Sequence, residues 1–435
     1  MNSALRNISL FAVMAGLLFI VAQVQSLSLS LAILNLCLIS AVMALGVNIQ
    51  WGYAGLLNVG VMGFAALGGL AAVLVSSQPV PAAWAAGGGD LAIGFVIAAI
   101  AIAAIVYVYR NLSGSARSFA IVAIAIIGYF GARTFIDPAS SAIESVDPAA
   151  TGNLGGLGMP IVFSWFVGGA FAAGAAWLIG KVALGLRSDY LAIATLGISE
   201  IIIAMIKNED WLSRGVKNVI GLPRPVPYEV DIQKSEYFQN LAAEWGLSII
   251  EMSSVVVKLS YACLFALVLL IVLYLSEKAL RSPWGRMMRA IRDNETAAEA
   301  MGKDVKGRHL QVFILGSAVV GIAGAMLTTL DGQFTPGSYQ PLRFTFLIWA
   351  MVIVGGSGNN WGAVLGGFVI WFFWVEAEPI GLWFMDLITS GLATDSPLRL
   401  HLLESAAHIR LMAMGVIMIL VLRFAPQGLI PEKRR

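Results

Sequence analysis

Residues 255–275 read VVVKLSYACLFALVLLIVLYL, residues 310–330 read LQVFILGSAVVGIAGAMLTTL, and between them residues 277–308 read EKALRSPWGRMMRAIRDNETAAEAMGKDVKGR. Each flanking run has about 20 residues, the length at which an α-helix crosses a hydrocarbon core of roughly 30 Å. The stretch between them carries Lys278, Arg281, Arg286, Arg289, Arg292, Lys303, Lys306 and Arg308 against Glu277, Asp293, Glu295, Glu299 and Asp304. A basic excess in a short loop between two spans marks the cytoplasmic side of a membrane.

This loop has the signals of an ordered element. Ser282 can cap the free amides of a first helical turn, Pro283 suits its first position, and Gly302 can take the left-handed conformation that ends a helix. Trp284, Met287, Met288, Ile291, Ala298 and Met301 recur at helical spacing between those limits, which predicts one amphipathic helix outside the membrane. A helix lying on lipid headgroups is one reading. Charges of both signs and the small residues Ala297, Ala298 and Ala300 suit a protein partner better, because small side chains let another surface approach.

The rest of the chain is apolar in the same way. Hydrophobic residues make up 59% and charged residues only 12% of it, against about 25% charged in soluble domains. With a mean hydropathy of +0.84, the composition excludes a soluble globular protein. Hydropathy and length place candidate spans at 8–24, 28–47, 54–75, 91–109, 118–136, 160–184, 189–206, 254–276, 309–332, 345–357, 362–375 and 409–424. The fold class expected is an all-α polytopic membrane protein of about 10–12 transmembrane or half-spanning helices, with both termini and the amphipathic helix cytoplasmic. The first run is followed by no convincing small-x-small cleavage site and another run follows it closely, so it reads as a retained helix rather than a secretory signal.

Alternation from a cytoplasmic amino terminus places Arg110, Arg117, Lys181, Arg187, the charged loop and the tail Lys433, Arg434, Arg435 inside. Asp137, Glu144 and Asp147 then fall outside, with residues 207–252 and 376–408 as the largest external segments. A net charge of +2, spread over loop ends, gives no footprint for nucleic acid. Cys37 and Cys263 both lie in apolar runs and read as packing residues rather than a disulfide.

Glycine within spans is ordinarily a packing device, and Gly60, Gly63, Gly68 and Gly69 fit that use. Two stretches go further: GYAGLLNVG at 52–60, which carries Asn58 into an apolar region, and GGSGNNWG at 355–362, which breaks a span. Non-helical backbone at membrane depth is tolerated only against protein or a water-lined cavity, so both are candidates for a translocation path, with a simple tight turn as the alternative. Glu200 is the clearest ionisable residue inside a span, and such a carboxylate is a functional candidate. Its other readings are a packing carboxylate satisfied by Ser199 or Thr195, or one that lines a wet cavity without touching solute.

No GxxxxGK(S/T) loop is present, so the chain has no phosphate cradle of its own and any ATP dependence comes from a partner. His401, Glu404 and His408 could share a helix face, but their spacing is not that of a zinc hydrolase and no metal is expected. Nor does any Ser/His/Asp or Cys/His arrangement point to an enzyme.

Five stretches, taken in order, resemble one family, the inner-membrane permeases of branched-chain amino acid (HAAT-type) ABC importers, and within it the M-type subunit. They are ALGVNIQWGYAGLLNVG (44–60), RSDYLAIATLGISEI (187–201), GRMMRAIRDNETAAEAMG (285–302), FLIWAMVIVGGSGNNWGAVLGG (346–367) and RFAPQGL (423–429). In the third, the permease loop pattern EAAxxxG keeps Ala297, Ala298 and Gly302, but Thr296 stands at its acid and Glu295 lies one residue early.

The resemblance implies one transmembrane permease domain over 1–435, set in the bacterial inner membrane. It implies a second, related permease (the LivH-type subunit), two ATP-binding subunits that use ATP and Mg, and a periplasmic solute-binding protein. ATPase coupling is expected at Trp284, Arg289, Arg292, Glu295, Ala297, Ala298 and Gly302. The translocation path is expected near Asn58, Gly60, Thr195, Glu200, Gly355, Gly356 and Gly358. Urea or short amides are the alternative solutes. A stand-alone secondary transporter or channel is the alternative class, and it would call for paired charges within the membrane.

Overall fold

In hydrocarbon every backbone amide must be satisfied within its own segment, so long apolar runs become helices. The computed structural model describes residues 3–149, 151–246, 248–391 and 396–432, which leaves the basic tail Lys433, Arg434, Arg435 outside the described residues. Besides three short helices at Asp210–Ser213, Glu229–Lys234 and Glu236–Glu244, the helices are α1 (Ser3–Val24), α2 (Leu27–Ala54), α3 (Val61–Ser76), α4 (Pro81–Asn111, with a π-turn at Trp84–Gly88), α5 (Gly114–Glu144), α6 (Val162–Ala183) and α7 (Ser188–Asn208). They continue with α8 (Ile249–Arg281), α9 (Pro283–Asp293), α10 (Glu295–Ala300), α11 (Val305–Asp331), α12 (Pro341–Gly355), α13 (Asn360–Thr389), α14 (Pro397–Glu404) and α15 (Ile409–Phe424).

Among the described residues, 9 helices are long and apolar enough to cross a membrane, or 10 if α14 and α15 form one bent span. The helices α3 and α12 are apolar but shorter. The chain is therefore an all-α, multi-pass membrane protein. A two-residue pairing, Val219 with Phe334 and Ile220 with Gln333, is the sheet found among the described residues.

The core forms around α2, where every residue from 37 to 50 is buried. A helix buried on all faces must be central, and α1, α8, α11, α12 and α13 pack around it. A second layer joins α3, α6 and α11 at Gly68, Gly168 and Gly321. A β-carbon on Gly68 would strike the Gly321 carbonyl, and one on Gly168 would lie 3.0 Å from the Gly68 Cα. Close backbone approach of this kind lets dispersion hold helices together where lipid removes the hydrophobic drive. The pair α4 and α5 packs mainly on itself and meets the body at Leu91, Ala139, Ile143, Leu154 and Trp211.

Several boundaries differ from the sequence reading. The amphipathic element is two helices, not one, because Asn294 is extended (φ −157°, ψ 95°) and its side chain caps α10 by accepting from Ala297 N at 3.0 Å. The span expected at 362–375 runs on as α13 to Thr389, through Glu376, Glu378 and Pro379. These carboxylates are tolerated because Gln25 donates to Glu376 at 2.8 Å and Arg410 pairs with Glu378 at 2.5 Å. Cys37 is buried as expected, whereas Cys263 is exposed on α8; both are free thiols.

Candidate translocation and coupling site

Gly55 ends α2 in the left-handed region (φ +69°), and the chain then runs without helix to Gly60. The buried Asn58 organises this segment. Its Nδ2 donates to Gln50 Oε1 at 2.9 Å, its Oδ1 accepts from Gly60 N at 2.9 Å, and its carbonyl accepts from Trp349 Nε1 at 2.9 Å. Val59 N donates to Thr195 Oγ1 at 3.0 Å, and Gln50 Nε2 in turn reaches Phe313 O and Ser317 Oγ, each at 3.0 Å. Three helices, α2, α7 and α12, thus satisfy the polar groups of one non-helical turn, and α11 holds Gln50 in place. Thr195 is seven residues into α7, about 10 Å along its axis at the usual helical rise, so the turn reaches into the span. A β-carbon on Gly60 would fall on the Thr195 carbonyl oxygen, and only glycine permits that approach.

The second non-helical segment lies between α12 and α13. Gly356 (φ +119°) and Gly358 (φ +79°) reverse the chain, and Asn359 starts α13 by accepting from Trp361 N at 3.0 Å. Asn48 on α2 accepts from Gly358 N at 2.9 Å and donates to Asn360 Oδ1 at 3.1 Å. Asn360 also accepts from the Tyr53 hydroxyl and donates to Glu277 Oε1 at 3.1 Å. The chain end closes this segment from below, with Leu429 N and Ile430 N donating to Val354 O and Gly355 O, each at 2.9 Å. Gly355 faces Gly362 so closely that a β-carbon there would overlap its carbonyl.

The charged stretch sits at this same end of the molecule. Ser282 caps α9 (Gly285 N to Oγ, 3.4 Å), Pro283 opens it, and Gly302 (φ +74°) terminates α10. Met288 and Ile291 are fully buried where α9 packs on α2. Trp284, Met287, Ala297, Ala298 and Met301 line a groove of about 660 Å³ on the outer side, rimmed by Lys303 and Arg308. Trp284 is anchored by its Nε1, which donates to Gln311 at 3.2 Å. Glu295 and Gly302 are exposed near this groove and Arg289 is half-buried.

Arg292 turns the other way. Its guanidinium donates to the Gly52 carbonyl and pairs with Glu432 at 2.9 Å. A β-carbon on Gly358 would lie 2.8 Å from the Glu432 carboxylate and 3.1 Å from Arg292 Nη1. One side chain from the charged stretch thus touches the end of α2, the chain terminus and the Gly356–Gly358 reversal.

The structure gathers the residues singled out from sequence into three groups. Asn58, Gly60 and Thr195 are in contact; Gly355, Gly356 and Gly358 surround the chain end beside Arg292; Trp284, Ala297 and Ala298 share the outer groove. Glu200 stands apart. Thr195 and Ser199 are buried on the inward side of α7, while Glu200 is exposed on the outward side, so neither hydroxyl satisfies it. Sequence reading passed over Asn48, Gln50, Tyr53, Glu277, Asn360 and Glu432. The polar residues of the early span, Asn48 and Gln50 within an apolar run, were the available signal. Among the described residues no three of His, Cys, Asp and Glu come together as a metal site.

With this geometry in view, a sequence model of the family described as branched-chain amino acid transport system, permease component, matches residues 117–422. The chain belongs to this permease family. Similar curated proteins include the high-affinity branched-chain amino acid transport system permease protein LivM of Escherichia coli K12, 26% identical over 62% of this chain and 57% of its own. The probable branched-chain amino acid transport permease protein LivM of Methanocaldococcus jannaschii is 26% identical over 74% of this chain and 85% of its own. The probable LivH permease of the same archaeon is 34% identical over 24% of this chain and 31% of its own. The chain spans a little over half the length of the enterobacterial relatives it matches. No solved structure matches it. In this permease, then, the two glycine-rich reversals and the charged stretch are one connected assembly.

Proposed function

We propose that the chain is the M-type membrane subunit of an ABC importer in the bacterial inner membrane, passing branched-chain or other neutral amino acids to the cytoplasm. A second, related permease, two ATPases that use ATP and Mg, and a periplasmic solute-binding protein complete the transporter. In this reading the charged stretch is cytoplasmic and its outer groove receives an ATPase, with Trp284, Ala297, Ala298 and Met301 in contact and Arg308 at the rim.

The observation that carries the reading is Arg292, which joins α9 to Gly52, Glu432 and the Gly356–Gly358 reversal. A push on α9 by ATP-driven closure is delivered directly to the two non-helical segments, and the spans on either side rock about them. The groups gathered round Asn58 are carboxamide, hydroxyl and indole, buried and hydrogen-bonded to one another, so in this reading the spans part there before a neutral polar solute meets them. Specificity is expected to reside mostly in the binding protein.

Co-purification in mild detergent followed by solute-stimulated ATPase measurement in vesicles tests partner and function together. Leucine, isoleucine and valine should stimulate hydrolysis and ATP-dependent uptake, and urea or acetamide should not. Flux of these amino acids in vesicles without ATP or any ATPase would refute the reading.

A further inference from the structure

The carboxylate of Glu200 lies twelve residues from the start of α7 and eight from its end, about 18 Å and 12 Å along the axis. It is exposed, and among the described residues it has neither hydrogen bond nor ion pair. Ile193, Gly197 and Ala204 share its face and are exposed with it, and a β-carbon on Gly197 would meet nothing within 4 Å. On α5, by contrast, two exposed charges well inside a span neutralise each other, Arg133 and Asp137 at 2.8 Å. Acyl chains offer no donor, and both ends of α7 lie far beyond the reach of a glutamate side chain, so it cannot snorkel to headgroups.

We infer that this face of α7 is covered in the assembled transporter by the second permease, which presents a hydrogen-bond donor to Glu200 near the middle of the bilayer. The inference rests on the importer reading above. A cytoplasmic ATPase and a periplasmic binding protein cannot reach this depth; another membrane-spanning chain can. A second copy of this chain whose two-fold axis ran along this face would bring two Glu200 carboxylates together, and like charges there repel; a chain of different sequence can set a donor opposite instead. Because Thr195 on the inward side of α7 holds the Asn58 turn, the seam lies one helix away from that turn.

The test uses the complete transporter with Cys37 and Cys263 replaced by alanine and Gly197→Cys or Ala204→Cys introduced. A fluorophore at either site should be quenched by brominated lipid at least fivefold less in the complex than in the full chain alone. A maleimide–diazirine reagent attached to the introduced cysteine and irradiated should join this chain to the second permease. Glu200→Leu should lower recovery of that permease about tenfold while Glu200→Gln retains most of it. Equal lipid quenching in both states of a complex that transports, a crosslink between two copies of this chain, or unchanged recovery with leucine would each overturn the inference and leave the importer reading standing. A transporting complex with no second permease would overturn both.

Discussion

The Arg292 guanidinium meets the Glu432 carboxylate at 2.9 Å, and each side chain is only 23% exposed. Surface pairs contribute about 0–1 kcal/mol, but this one is shielded, and removing one partner leaves the other charge against the Gly358 backbone. Arg292→Ala should therefore lower uptake roughly tenfold, equivalent to about 1.4 kcal/mol, with the protein still in the membrane. Glu432→Gln should cost less because the Gly52 contact survives. A double-mutant cycle read by uptake in vesicles measures the coupling, and additive effects would show that the pair transmits nothing.

Gly302 is constrained by its backbone and not by space, since φ is +74° while a β-carbon would meet nothing within 4 Å. A β-branched residue in that region costs at least about 1–2 kcal/mol, whereas asparagine tolerates it. Gly302→Val should uncouple ATP hydrolysis from uptake in an assembled complex, and Gly302→Asn should remain coupled. Normal uptake per ATP in the valine variant would remove Gly302 from the coupling role.

Asn360 is the hub at which Asn48, Tyr53 and Glu277 meet. Replacing it with leucine leaves Asn48 Nδ2 without an acceptor and Tyr53 with only a long contact to Ser276 O at 3.5 Å, while Glu277 keeps Arg281; an orphaned buried polar group costs about 1–3 kcal/mol. Thermal unfolding in detergent should shift down by several degrees, more than for Asn359→Ser, which keeps a side-chain cap on α13.

Gly60→Ala places a methyl group on the Thr195 carbonyl and should force α3 and α7 apart. Overpacking of this kind costs about 1–3 kcal/mol, so lower yield of folded protein and slower uptake are expected. Gly174→Ala on α6, where a β-carbon meets nothing within 4 Å, is the control and should behave as the parent does in the same assay.

Much of this architecture is legible in the sequence alone. Runs of about 20 apolar residues become helices because a bilayer allows little else, and Ser282, Pro283 and Gly302 mark the ends of the charged element by local chemistry alone. The break at Asn294 was missed because Ala298 and Met301 keep helical spacing across it. Hydropathy stopped α13 at residue 375 because Glu376 and Glu378 look like water-seeking residues. In the fold their partners are Gln25 and Arg410, more than 30 residues away in sequence, and no window along the chain contains both members of either pair.

Number and order of the apolar helices follow from the one-dimensional pattern, since solvent and lipid act on each segment locally. The directions of Arg292 and Glu200 do not. Arg292 looked like an outward contact and is held inward by Gly52 and Glu432; Glu200 looked like an interior carboxylate and stands on an open face. Which way a side chain points from a helix is set by how that helix is rotated against its neighbours, and that rotation is fixed by packing between residues distant in sequence.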